Sequence, residues 1–248
     1  MWNDPGALAA IFGALFLGGI LKGATGAGLP VVAVPVMVLF VELPVAISVI
    51  AVVNLTTNTT QGWRYRNQHT DRRFSMTFAA GCGLGTVFGT IVLASAPPSA
   101  LLLTLAVVVL IYIVFRLSSP NWVLERGRGR QLAAPLGTLA GVLQGATGIS
   151  APVTLTFLNA LGLTRPEFIA TVTAAFTAMA LPQVITLWVY DLIDIERLVL
   201  GLSASLVVFA GMPVGAFLAR RFGDRIFDRV ILALLAAISV RLIYGALT

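Results

Sequence analysis

The tetrad Gly-Ala-Thr-Gly occurs twice in this chain, each time inside an apolar stretch and each time followed by a proline. The first copy reads Lys22-Gly23-Ala24-Thr25-Gly26 and leads to Pro30; the second reads Gln144-Gly145-Ala146-Thr147-Gly148 and leads to Pro152. The copies lie 144 − 22 = 122 positions apart, about half of the 248 residues. Apolar helices broken at matching points of two halves point to an internally repeated membrane protein, with the breaks as its candidate binding site.

Composition supports the membrane reading. Hydrophobic residues make up 58% of the chain and charged residues only 10%, with a mean hydropathy of +0.96. A soluble domain carries roughly 25% charged residues. The net charge of +6 could suggest nucleic acid. Its arginines, however, fall in short gaps between apolar runs, the pattern of cytoplasmic membrane loops, so no nucleic-acid partner is expected. The single cysteine, Cys82, leaves no internal disulfide and no cysteine-based metal cage. With Asp4 preceding the first cation, Lys22, the N-terminus does not read as a cleavable signal peptide.

Six apolar runs reach the length needed to cross a bilayer, about 20 residues: 44–63, 74–95, 99–116, 166–189, 198–219 and 226–246. Residues 7–41 and 132–163 are also apolar but interrupted at Gly23–Gly28 and Gly145–Ser150. Each half of these two segments reads as short for a span, and a re-entrant hairpin or one broken helix fits. Arginine placement separates the two. Arg64, Arg66, Arg72 and Arg73 mark the loop at 64–73; Arg116, Arg126, Arg128 and Arg130 mark that at 116–131; Arg220, Arg221, Arg225 and Arg229 mark that at 220–229, whose acids are Asp224 and Asp228. All three are expected inside. The acidic turn at 190–197 and the uncharged turn at 96–99 are expected outside.

An odd number of crossings must separate the inside loop at 116–131 from the outside turn at 190–197. The span 166–189 supplies one, so residues 132–163 return to the side they left; residues 7–41 do the same. The expected fold is therefore an all-α membrane protein of two inverted-topology repeats, each with one re-entrant helical hairpin and three transmembrane helices. The expected divisions are 1–117 for the first repeat, 118–131 for a basic cytoplasmic linker and 132–248 for the second repeat, with both termini outside. The repeat extends beyond the tetrad. Pro44 pairs with Pro166 and Gln61 with Gln183 at the same offset, and Gly85-xxx-Gly89 pairs with Gly211-xxx-Gly215 at an offset of 211 − 85 = 126.

The chemistry expected at the breaks is anion binding. Pro30 and Pro152 fall near the first turn of a second half-helix, where a missing N–H costs little. Such a helix start carries about half a positive charge and free N–H donors. Gly23, Gly26, Gly28, Gly145 and Gly148 would let a ligand approach the backbone, and Thr25, Thr147 and Ser150 would add hydroxyl donors. Lys22 is the only lysine in the chain, and its counterpart is the neutral Gln144. A charge at membrane depth is a functional candidate by default. Substrate contact and neutralisation of helix-end carbonyls both fit Lys22. On the run 44–63, Asn54, Asn58 and Gln61 share one helix face, with Thr57 close by; Asn54 and Asn58 match Phe176 and Ala180 in the second half. Lining a substrate path and bonding between helices are both open to them. No carboxylate lies deep in a span, and no paired-carboxylate site, His-rich cluster or phosphate-binding loop is present. No catalytic residue, metal or cofactor is expected, and an ATP-driven pump is disfavoured.

Two half-repeats that each open with a Gly-rich break and a following proline in an apolar helix pair resemble the sulfite exporter TauE/SafE family of bacterial membrane proteins, over nearly the whole chain. The resemblance implies a carrier in the cytoplasmic (inner) membrane, not an enzyme, that moves small sulfur-containing anions such as sulfite or organosulfonates, often outward. By residue it extends to Gly23, Thr25, Gly26 and Pro30, then to Gly145, Thr147, Gly148 and Pro152; the second break, Gly-Ile-Ser-Ala-Pro, is less glycine-rich than the first. The expected partners are a small anionic substrate and the lipid bilayer, with a homo-oligomer left open. Import of sulfate- or thiosulfate-like anions, and an anion channel, are the alternatives.

Overall fold

The computed structural model describes residues 5–69, 71–118 and 123–222. The expected span at 226–246, and with it residues 223–229 of the third basic loop, lies outside them. Among the described residues all regular structure is helical: α1 Pro5–Thr25, α2 Leu29–Val38, α3 Leu43–Tyr65, α4 Arg72–Ser95, α5 Pro98–Ser118, α6 Arg126–Thr147, α7 Ala151–Ala160, α8 Arg165–Val189 and α9 Ile195–Phe222. Five are long and apolar enough to cross a membrane: α1, α3, α4, α8 and the stretch Ile195–Ala219 of α9. Large apolar side chains such as Phe12, Leu84, Phe88, Ile185 and Leu206 point outward, as a lipid-facing surface requires. The basic stretch does not stay a loop, since Arg126, Arg128 and Arg130 form the first turns of α6.

One expectation needs correction. The first arm of the segment 7–41 is not short for a span: α1 has 21 residues, roughly 31 Å of helix at 1.5 Å per residue. Only the second arm, α2, is short, with 10 residues; α6 and α7 repeat this with 22 and 10. The reason is that Gly23 and Gly145 do not break the helix. Both stay helical because their missing side chains serve packing. A Cβ on Gly23 would collide with the Met212 carbonyl of α9, and one on Gly145 with the Thr86 carbonyl of α4. The chain turns later, at Gly26–Gly28 and Gly148–Ser150.

Small residues therefore decide which helices pair, and the pairing crosses the halves. Gly81, Gly85 and Gly89 bring α4 onto α6; a Cβ on Gly81 would lie 2.7 Å from the Ala134 carbonyl. Gly137 and Gly141 answer from α6, meeting the Phe78 and Cys82 carbonyls. In the same manner Gly211 and Gly215 of α9 meet Phe16 and Ile20 of α1, and a Cβ on Gly19 would lie 2.5 Å from the Val208 carbonyl. Such backbone-to-backbone approach is the usual glue between helices in lipid. Each of these pairs joins a helix from one half to a helix from the other.

The remaining elements fix where the ends lie. Asp71 caps α4, accepting from the Phe74 N–H at 3.0 Å, and reaches Arg130 of α6 at 2.7 Å. Ser75 Oγ and Thr171 Oγ1, 3.2 Å apart, tie the start of α4 to the start of α8. The starts of α4, α6 and α8 thus share one face with the loop after α3, so α3 and α8 run antiparallel; Gly62 late in α3 lies beside Thr173 early in α8. The Leu124 N–H donates to the Ala160 carbonyl at 2.7 Å, so the chain leaves α7 beside the point where it enters α6.

Candidate anion site at the first helix break

Both breaks are built by glycine in the left-handed region. Gly26 has φ 83° and Gly28 φ 98° in the first; Gly148 has φ 75° in the second. A side chain at such a φ costs roughly 1–2 kcal/mol. Ser150, the counterpart of Gly28, sits at φ −108°, which accounts for a serine there. In each break the glycine N–H bonds back to the residue before the tetrad's first glycine, Gly26 to the Lys22 carbonyl and Gly148 to the Gln144 carbonyl, both at 2.8 Å. Pro30 and Pro152 lie in the first turns of α2 and α7.

The threonines hold the turns together. Thr25 Oγ1 lies 3.0 Å from the Leu21 carbonyl and 2.9 Å from that of Ala27. Thr147 Oγ1 donates to the Leu143 carbonyl at 2.8 Å and accepts from the Ile149 N–H at 3.2 Å. Each hydroxyl proton is directed at a backbone carbonyl of its own break. Ser150 Oγ has a weaker partner, Met179 Sδ at 3.8 Å.

The two breaks sit at different depths. A Cβ on Gly148 would lie 3.3 Å from Ile47 in the second turn of α3, and one on Gly26 would lie 3.2 Å from Ile169 in the second turn of α8. Ile47 and Ile169 are themselves 169 − 47 = 122 apart. Lys22, one turn before the first break, bonds to Asn58. Asn58 and Ile47 are 58 − 47 = 11 residues apart on α3, about 16 Å along the axis. The structure thus brings Lys22, Gly26 and Asn58 into one neighbourhood and keeps Gln144, Gly148 and Ser150 in another.

The first neighbourhood holds the charge. Lys22 is 1% exposed, and no described carboxylate pairs with it. Its ammonium donates to Asn58 Oδ1 and lies 6.0 Å from the centre of the Phe176 ring. Asn58 is fully buried, and its Nδ2 has no hydrogen-bond partner. One turn on, the buried Gln61 Oε1 is also unpartnered, and Asn54 lies one turn back, 6% exposed. The second neighbourhood is neutral: Gln183 Nε2 donates to the Gln144 carbonyl at 3.3 Å, and the buried Thr154 Oγ1 has no partner. Reading the sequence did not single out Phe176, which occupies the place of Asn54 in the repeat. Nor did it single out Arg165, whose Nη2 donates to the Ala24 carbonyl at 2.8 Å.

Apolar helices of membrane-crossing length packed around a buried lysine define a multi-pass membrane protein. The chain belongs to the sulfite exporter TauE/SafE family, whose model matches residues 11–242. No curated protein and no solved structure shows a significant match. The family is one of membrane transporters rather than enzymes.

Proposed function

We propose that this protein is a secondary transporter of the bacterial cytoplasmic membrane that exports a small sulfur-containing anion, sulfite or an organosulfonate, held beside the first break between Lys22 and Asn58. One observation carries the reading. Lys22 is buried and bonded to a neutral amide, and that amide keeps a buried N–H2 group without a partner. A buried donor left unsatisfied costs about 1–3 kcal/mol, and a buried charge without a counter-ion costs more. An oxyanion between the ammonium and the amide relieves both. The Gly26 region lets it reach backbone, while Gln144, Thr147, Gly148 and Ser150 line the second break on the far side of the path.

In this reading the halves 1–117 and 132–248 are inverted repeats around the basic stretch 118–131. The pairs α1–α2 and α6–α7 are re-entrant, the arginine-rich loops are cytoplasmic and both termini are outside. The crossed pairing of α4 with α6 and α1 with α9, and the matching Gly26–Ile169 and Gly148–Ile47 contacts, support the repeat. Export follows from the membrane potential. An anion leaving a cell that is negative inside gains about 2.3 kcal/mol per charge at 100 mV, enough for a roughly 40-fold outward gradient.

The test is flux of sulfite in proteoliposomes under an imposed potassium-diffusion potential, with wild type and Lys22→Gln compared. Flux should follow voltage without a sodium or proton gradient and should collapse in the variant. Flux that ignores voltage and needs a cation gradient refutes uncoupled export. A folded Lys22→Gln with wild-type flux refutes the site.

A further inference from the structure

Lys22 is not alone at the first break. Arg165, in the first turn of α8, reaches across the halves to the Ala24 carbonyl at 2.8 Å, two residues along the chain from Lys22. Ala24 lies in the last turn of α1, where orphan carbonyls make the helix end negative. That partial charge stands against any anion approaching Lys22, and the guanidinium covers it. Arg165 is exposed where Lys22 is buried. Its neighbour Glu167 is turned to its own helix start, accepting from the Thr164 N–H at 2.8 Å. Ile169, one turn on, packs on Gly26, so the first turns of α8 sit on the break.

The repeat supplies the contrast. The residue 165 − 122 = 43 is Leu43, and the counterpart of Lys22 is Gln144. Both cations of the first break have neutral counterparts at the second. The face on which α8 begins also carries Arg64 at the end of α3, Arg66 in the loop, Arg72 and Arg73 at the start of α4, and the start of α6. Positive charge therefore leads from that face to Arg165 at the lip and to Lys22 inside, and among the described residues it has no continuation at the second break.

We infer that Arg165 recruits the anion: substrate enters from the arginine-rich face, meets Arg165 first and passes to Lys22, and the neutral second break is the release end. This rests on the reading of Lys22 and Asn58 as the substrate site. The alternative role for Arg165 is a helix cap alone, and Arg165→Gln separates the two, since its amide can still donate to a carbonyl but carries no charge. The measurement is the half-saturating sulfite concentration for flux, taken from each side of vesicles of known orientation.

From the arginine-rich side, Arg165→Gln should raise that concentration about 1.5- to 5-fold, the range of partly exposed charge interactions. Arg165→Lys should stay nearer to wild type. The difference should vanish in high concentrations of an inert salt, and from the other side Arg165→Gln should match wild type. Equal behaviour of Arg165→Gln and wild type on both sides, with flux still dependent on Lys22, overturns recruitment and leaves a cap. An equal loss on both sides with a lowered melting temperature does the same. Flux indifferent to Lys22 removes the site itself, and the inference with it.

Discussion

Replacing Asn58 with aspartate tests the electrostatics of the site with almost no change in shape. Asn58 Oδ1 already accepts from the Lys22 ammonium, so Asn58→Asp supplies a counter-ion that no described carboxylate provides. At about 4 Å and an effective dielectric of 20, two unit charges interact by roughly 4 kcal/mol. A bound anion must sit within a similar distance of the new carboxylate, so it loses about 3–4 kcal/mol of net attraction. At 1.4 kcal/mol per factor of ten, affinity should fall by roughly two to three decades. The fold should not suffer, because a buried cation gains a partner and the unpartnered Nδ2 disappears. Calorimetric titration of purified protein with sulfite, beside its thermal unfolding in detergent, reads both quantities. Wild-type stability with affinity lost is the expected pair. A well-folded Asn58→Asp that binds sulfite within about threefold of wild type would show that Lys22 and Asn58 do not hold the anion.

Two further outcomes concern the scaffold. Gly85→Val should lower the unfolding temperature sharply, since even a Cβ there runs into the Thr138 carbonyl of α6 and overpacking costs about 1–3 kcal/mol or more. Gly13→Ala, where a Cβ meets nothing within 4 Å, should be neutral or stabilising by up to about 1 kcal/mol; equal behaviour of the two would refute the glycine-packed interface. Acid should weaken the arginine-rich face. The Phe74 N–H and then Arg130 hold Asp71 below the usual carboxylate range, and burial and then Arg72 lower His69. Both groups have depressed pKa values in the fold, so each stabilises above its unfolded value, about 6.5 for His and 3.9 for Asp. That stability is lost as pH falls toward the folded value. Unfolding temperature measured against pH should therefore drop below about pH 6.5, and Asp71→Asn should flatten the lower limb.

Most of the described helices were legible to within a few residues because apolar length is a local signal; α6 was not, since it starts at Arg126 within the basic stretch read as a linker. The run 44–63 became Leu43–Tyr65, and 74–95 became Arg72–Ser95. The breaks were legible as a motif but not in detail. Glycine serves both left-handed turns and close packing, and sequence alone does not tell Gly26, which turns the chain, from Gly23, which lies against Met212. Lys22 and Asn58 each stood out, but their bond joins residues 36 apart and depends on how α1 meets α3. The separate depths of the two breaks, and the reach of Arg165 to Ala24, follow from packing across the halves, to which no spacing rule applies.

That crossed packing also sets an order of events during synthesis. Gly19 and Gly23 of α1 pack on α9, which begins at Ile195, 195 − 25 = 170 residues after α1 ends at Thr25. At about 5–20 residues per second this is a wait of roughly 10–30 s, with α1 already made and its close-packing stripe facing lipid or the insertion machinery. The helix carrying the sole lysine is thus made well before the helix on which Gly19 and Gly23 pack. Neither half, made alone, contains the surface that completes its own leading helix. Two separately expressed halves should accordingly accumulate only when produced together.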